Sequence, residues 1–195
     1  MLEFGITTNQ RAQMFLAQVL HESAGLQYFE EIATGDAYEG RRDLGNVHRG
    51  DGRKYKGRSP MQLTGRSNYR WAGGQLGLPL EARPQLASQH VIGWRIAGLY
   101  WRSHGLNELA DRGEFLAITR RINGGTNGLA ARRTYLARLR GNDCRPRDRW
   151  AGYTPAERRW IAEYDQRPSA ERRGVLRRVM LAQRKRVWKA AEAEP

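Results

Sequence analysis

NQRAQMFLAQVLHESAGLQYFEE, residues 9–31, holds an apolar set at Ala12, Phe15, Leu16, Val19 and Leu20. These positions recur at three- and four-residue steps, the spacing that lines one face of a 3.6-residue helix. A helix over residues 9–22 follows, with Thr8 or Asn9 supplying the capping oxygen. The stripe presses that helix into a core and leaves its C-terminal end, His21 and Glu22, at the edge of a cleft. Ser23-Ala24-Gly25 then breaks the pattern. Gly25 lets the chain leave the helix, so Glu22 and Glu31 can face each other across a groove.

Working outward, helical periodicity recurs over 86–101, over 107–121 as one helix or a pair of turns, and over the basic stretch 130–140. The glycines inside 86–101 cost helix propensity, up to about 1 kcal/mol each, and are small enough to allow close packing. Residues 33–60 differ in kind, with six glycines, many Asp and Arg residues and little periodicity. Loops of this length are usually functional or disordered. Tyr38 and Tyr55 give this one something to pack with, so an ordered binding loop is expected. No strand-like alternation of any length appears, and the fold class is mainly α. A catalytic unit over 1–141 and a basic helical extension over 142–195 are expected. In the extension, Thr154-Pro155 opens one helix and a stripe from Val175 to Val187 marks another.

The net charge is +14, and residues 145–195 hold 14 Arg or Lys against 7 Asp or Glu, half of that excess. Such a surface attracts polyanions without choosing among them. The extension reads equally well as a module binding wall or polyanion and as a structural hairpin with a solvated basic face. No run reaches the roughly 18 apolar residues of a membrane span, and the first residues lack the basic leader and apolar core of a secretory signal. Cys144 is the only cysteine, which favours a reducing compartment. The four histidines, at 21, 48, 90 and 104, form no ligand spacing, and His21-Glu22 lacks the second histidine of a zinc-protease helix. No metal or cofactor is expected. The basic and aromatic residues form no recognised nucleic-acid motif.

Two carboxyl groups flanking a groove suit inverting hydrolysis of a sugar linkage. One, protonated, gives its proton to the glycosidic oxygen, and the other activates a water on the opposite face of the ring. Glu22 and Glu31 fit these roles, with Glu30 and Glu39 as rivals for the base. The segment YKGRSPMQLTGRSNYRWAG, residues 55–73, places Gln62 and Thr64 on one face of an extended stretch and turns Met61 and Leu63 to the core. Asn68 and Tyr69 follow. Amide, hydroxyl and aromatic groups suit a hydrated sugar bearing N-acetyl groups. His21 reads as a hydrogen-bonding residue at the helix end.

The ordered series FLAQVLHESAGLQYFEE (15–31), YKGRSPMQLTGRSNY (55–69) and INGGTNG (122–128) resembles the chitinase-like lysozymes of glycoside hydrolase family 19. The likeness runs from about Phe15 to Leu136 and is closest to the bacteriophage endolysin branch, through AYEGRRDLGN and GDGRKYKGR. It implies a two-lobed, lysozyme-like helical fold with a cleft between the lobes. It implies Glu22 as general acid, Glu31 as general base, and Thr64 holding the attacking water near Glu31. It also implies substrate contacts drawn from His21, Tyr38, Glu39, Arg58, Gln62, Asn68, Tyr69 and Asn123. An arginine completing the acid network falls on Arg133 or, equally, Arg132. One departure stands out: the usual Gly-Arg-Gly is Gly57-Arg58-Ser59 here. A third position requiring positive φ would strain Ser59 by about 1 kcal/mol. The resemblance further implies a monomeric endolysin, made in the host cytoplasm and acting on bacterial peptidoglycan once the membrane is permeabilised. A chitinase, a lytic transglycosylase and a non-catalytic wall-binding protein are the alternatives.

Overall fold

The structure, a computed structural model, describes residues 1–146. Within them lie seven α-helices: α1 (Asn9–Glu22), α2 (Asp51–Lys54), α3 (Arg66–Leu76), α4 (His90–Ser103), α5 (Leu106–Asp111), α6 (Phe115–Asn123) and α7 (Leu129–Leu139). Helix α1 spans the predicted residues. The Thr8 side chain caps it by accepting from the Arg11 N–H at 3.2 Å. It is buried more widely than a single stripe: Met14, Ala17 and Gln18 are buried beside Ala12, Phe15 and Val19. The reason is its central place, with α7 packed on one side and α5 on another.

Two hydrophobic cores flank α4. Ala97 and Trp101 join the core built from α1, α5, α6 and α7, while Ile96 and Leu99 join a second core with Phe4, Tyr55, Tyr69, Ala72, Leu76 and Leu80. One helix thus serves both cores. Its glycines are close-packing sites, as expected: a side chain at Gly98 would run into the Phe4 ring, and a Cβ at Gly93 would lie 3.0 Å from the ring of Phe29. The periodic stretch 86–101 begins as a 3-10 turn at Pro84–Ser88, and the α-helix proper starts four residues later than predicted. The stretch 107–121 is divided at Gly113, which takes φ +76° between α5 and α6. Helix α3 was not foreseen in the sequence.

Residues 33–60 form an ordered loop. Buried Asn46 accepts from the Arg66 N–H at 2.9 Å and donates to the Tyr38 carbonyl at 2.8 Å. Buried Asp51 takes two bonds from the Arg66 guanidinium, at 2.5 and 2.9 Å. Residues beyond 141 are also tied down: Asn9 donates to the Asn142 carbonyl and accepts from the Cys144 N–H. Residues Met1–Pro146 form one compact unit. The helices expected after Thr154-Pro155 and along the stripe from Val175 to Val187 lie outside the described residues. Among the described residues, no helix is long and apolar enough to cross a membrane.

Candidate active site

Helix α1 ends at Glu22, and the chain reverses within three residues. Ser23 closes the helix, its hydroxyl donating to the Val19 carbonyl at 2.7 Å and accepting from the Leu26 N–H at 2.9 Å. Ala24, Gly25 and Leu26 then take φ of 48°, 74° and 70°. Gly25 accepts this conformation freely, whereas Ala24 and Leu26 each bear a cost of about 1–2 kcal/mol. Among the described residues, the non-glycine positions with positive φ are Ala24, Leu26, Ser59 and Gln62. All four lie in the segments that carry the candidate site, where backbone strain commonly gathers.

The Glu22 carboxylate is partly exposed and fixed at one oxygen. Oε1 accepts from Arg132 Nη2 at 2.5 Å, while Oε2 has no protein hydrogen bond among the described residues. Arg132 is almost fully buried and also donates to Gln18 Oε1 at 2.6 Å. Of the two arginines left open by the sequence, Arg132 faces the acid. Arg133, one position on along α7, points to solvent. The His21 side chain, read as a hydrogen-bonding residue at the helix end, makes no hydrogen bond among the described residues. Its ring packs on Gly128, where any side chain would collide with it. Burial, then the neighbouring Arg132, hold the imidazole below its ordinary pKa. Asn123 closes the turn after α6, donating to the Asn127 carbonyl and accepting from the Gly125 N–H.

Glu31 adjoins the only extended pairing among the described residues. Single antiparallel bridges join Glu30 to Arg58 and Arg58 to Leu63. The Glu31 N–H donates to the Gly57 carbonyl at 2.8 Å, and the Ser59 N–H to the Phe29 carbonyl at 2.9 Å. The carboxylate accepts from the Tyr38 hydroxyl at Oε1 and from the Gly57 N–H at Oε2, both at 3.1 Å. A carboxylate has about four acceptor positions, so capacity remains for a water. Burial, then the bond to Glu31, push the Tyr38 phenol above its ordinary pKa.

Gly57 has no room for a side chain. A Cβ there would strike Gln62 Oε1 and lie 3.1 Å from Glu31 Oε2, so the Gln62 amide and the Glu31 carboxylate share its face. The segment around Gln62 is a turn rather than an extended strand. Gln62 has φ +53° and its N–H donates to the Ser59 carbonyl. Met61 and Leu63 do pack inward, each against a different core. The Thr64 hydroxyl donates to the Gln62 carbonyl at 2.9 Å, and exposed Asn68 donates to the Thr64 carbonyl at 2.7 Å. Ser59 does adopt the left-handed conformation, at φ +71°, and is fully buried. Its hydroxyl accepts from the Met61 N–H, which offsets part of the strain.

Three residues expected at the substrate are committed elsewhere. Arg58 is buried, donating to the Lys54 carbonyl, the Tyr69 hydroxyl and Glu30. Tyr69 is fully buried and donates to the Lys56 carbonyl; burial pushes its phenol up to about 12. Glu39 spends both oxygens on the N–H groups of Gly50 and Gly52, at 2.6 and 2.8 Å. It braces the loop. Glu30, the other rival for the base, pairs with Lys56 and Arg58. Burial raises its pKa, but the two cations outweigh that and hold it below the usual carboxylate value. A cavity of about 480 Å³ beside Arg66, Arg70 and Glu81 is lined by neither candidate acid, and those three charges are already paired.

No family model matches the sequence. A glycosyl hydrolase family 19 domain-containing protein of Haemophilus influenzae is 31% identical over 159 residues, covering 66% of this chain and 78% of that protein. An endochitinase of Arabidopsis thaliana is 34% identical over 122 residues, 62% of this chain. The match takes in only 41% of that plant enzyme's length. Among solved structures, chitinase C from Streptomyces griseus superposes with a TM-score of 0.56 at 29% identity, over 71% of this chain and 62% of that one. A class IV family 19 chitinase from Zea mays gives 0.55 at 29% identity, over 67% of each chain. A relative so similar over most of its length, together with the shared helical fold, shows that the chain belongs to glycoside hydrolase family 19.

Proposed function

We propose that this protein is an endolysin that hydrolyses β-1,4 linkages between N-acetylhexosamines of bacterial peptidoglycan with inversion. The observation that carries the proposal is the different commitment of the four candidate acids. Glu22 keeps one oxygen without a protein partner and Glu31 keeps acceptor capacity, whereas Glu30 and Glu39 are held by cations and backbone amides. In the reaction, Glu22 Oε2 delivers its proton to the glycosidic oxygen as the bond to the anomeric carbon breaks. Glu31 takes a proton from the water that attacks the opposite face. Gln62, beside Glu31 at Gly57, and Thr64 orient that water and the N-acetyl group. The product carries a new reducing end of inverted configuration.

The endolysin-like loop and the charge of +14 support peptidoglycan, a wall bearing carboxylates and phosphates, as the target. On this reading the enzyme works as a monomer and reaches the wall from the host cytoplasm after membrane permeabilisation. Chitin is the second reading, favoured by the endochitinases among its relatives. Mass analysis of fragments released from purified peptidoglycan and from chitin oligomers separates the two. Reducing-end muropeptides support the proposal, anhydro-sugar ends indicate transglycosylation, and release from chitin alone makes the protein a chitinase.

Gly57 offers a separate check on the base side. Gly57→Ala pushes a methyl group between Gln62 and Glu31, and displacements of this size cost up to about 100-fold in rate. Turnover is expected to fall roughly 10- to 100-fold, with a stability loss of about 1–3 kcal/mol from overpacking. Wild-type turnover in a folded Gly57→Ala protein would separate Gln62 and Glu31 from the chemistry.

A further inference from the structure

Behind Glu22 runs a buried hydrogen-bond chain that ends on a residue far from it in sequence. Arg132 Nη2 donates to Glu22, and Nη1 donates to Gln18 Oε1 at 2.6 Å. Gln18 Nε2 donates to Thr119 Oγ1 at 2.9 Å, and that hydroxyl donates to the Phe115 carbonyl at 3.1 Å. Gln18 and Thr119 are fully buried, and Arg132 is 2% exposed. We propose that Thr119, acting through Gln18, is a positioning residue that fixes the Arg132 guanidinium and thereby aims Glu22. This rests on the reading of Glu22 as the acid.

A threonine hydroxyl has a single proton. Thr119 spends it on the Phe115 carbonyl one turn back in α6, so its oxygen is left to accept. Only the NH₂ end of Gln18 can satisfy that oxygen, which turns the carbonyl end toward Arg132. A flipped amide would set its NH₂ against the guanidinium and leave two buried groups unsatisfied, the costly arrangement in a dry core. Gln18 therefore supplies Arg132 with a neutral acceptor, and Glu22 is the only carboxylate paired with Arg132 among the described residues. The third contact, from Arg132 Nε to the Asn127 carbonyl, is long at 3.4 Å. The orientation of the guanidinium depends mainly on Gln18.

Thr119→Val keeps the shape and removes the acceptor. Measured on the full chain with soluble glycan fragments, its kcat is expected to fall roughly 10- to 100-fold with KM unchanged, the pattern of a lost transition-state alignment. Thr119→Ser, which retains the hydroxyl, is expected to restore most of the rate. Wild-type kcat in Thr119→Val, a change in KM alone, or equal loss in the Ser and Val variants overturns the proposal. Should Thr119→Val not fold, Gln18→Met reads the same chain, because it leaves Arg132 Nη1 without its acceptor while Thr119 keeps its bond to Phe115. A folded Gln18→Met protein with wild-type kcat also overturns it. Glu22→Gln measured alongside separates the two readings. Full activity there removes the acid assignment itself, whereas its loss with wild-type kcat in Thr119→Val removes only the positioning role.

Discussion

Glu22→Gln is expected to abolish glycan cleavage while leaving the fold unchanged. The amide oxygen can still accept from Arg132 at the place now held by Oε1, so the buried guanidinium keeps its partner and its link to Gln18. The other end of the side chain becomes an NH₂ group that hydrogen-bonds but cannot transfer a proton to a departing oxygen. General acid catalysis contributes about 10²–10⁴-fold, so the loss is expected to be of order 10³-fold at saturating substrate. The melting temperature is expected to stay close to that of the wild type. Equal wall-lysis rates for the two purified proteins would end the assignment. Glu31→Gln tests the base in the same assay. It is expected to lose most turnover, and Glu39→Gln is expected to act mainly through stability, because Glu39 holds Gly50 and Gly52. A small effect at Glu31 with a large loss of turnover at Glu39 would move the base.

How much of the fold is legible in the sequence follows from where each signal lives. Helix α1 announced itself because cap, apolar period and terminating glycine lie together in sequence, and the same stretch ends on the acid. Helix α3 escaped notice because RSNYRWAGGQL is polar, holds two glycines and has no side-chain cap. Arg132 and Arg133 could not be separated because the choice depends on how α7 is rotated against α1, a tertiary property. Gln18 and Thr119 are illegible in the sequence for a related reason. A polar residue on a helix reads as solvent-facing until its partner on another helix is known, and these partners lie 101 residues apart. Arg58 and Tyr69 show the opposite ambiguity, since groups that suit a sugar also satisfy a buried turn. Ser59 was the better case: one sequence departure pointed to a left-handed site, and the backbone there has φ +71°.

The largest effect on stability is expected at Asp51, which anchors the loop carrying Tyr38 and Gly57. Its side chain is 2% exposed, opens α2, and takes two bonds from Arg66 at the start of α3. The Arg66 guanidinium holds its carboxyl down, despite the opposing effect of burial, to about 2. Because the folded pKa lies below the unfolded one, the stabilisation is fully present above about pH 4 and fades as pH falls through about 2. Asp51→Asn leaves part of a half-buried guanidinium without its counter-charge, although Glu81 still pairs with Arg66 at 3.1 Å. Breaking a buried pair costs about 3–5 kcal/mol, and the remaining partner puts the expected loss near the lower figure. At neutral pH this corresponds to a fall in melting temperature of roughly 6–12 °C. Denaturant titrations at pH 7 and pH 2.5 give the decisive comparison. Wild type and Asp51→Asn are expected to differ strongly at pH 7 and by clearly less at pH 2.5, which lies between the unfolded and folded pKa values, where part of the stabilisation is already lost. A gap of the same size at both pH values would mean that shape, and not charge, holds this corner of the loop.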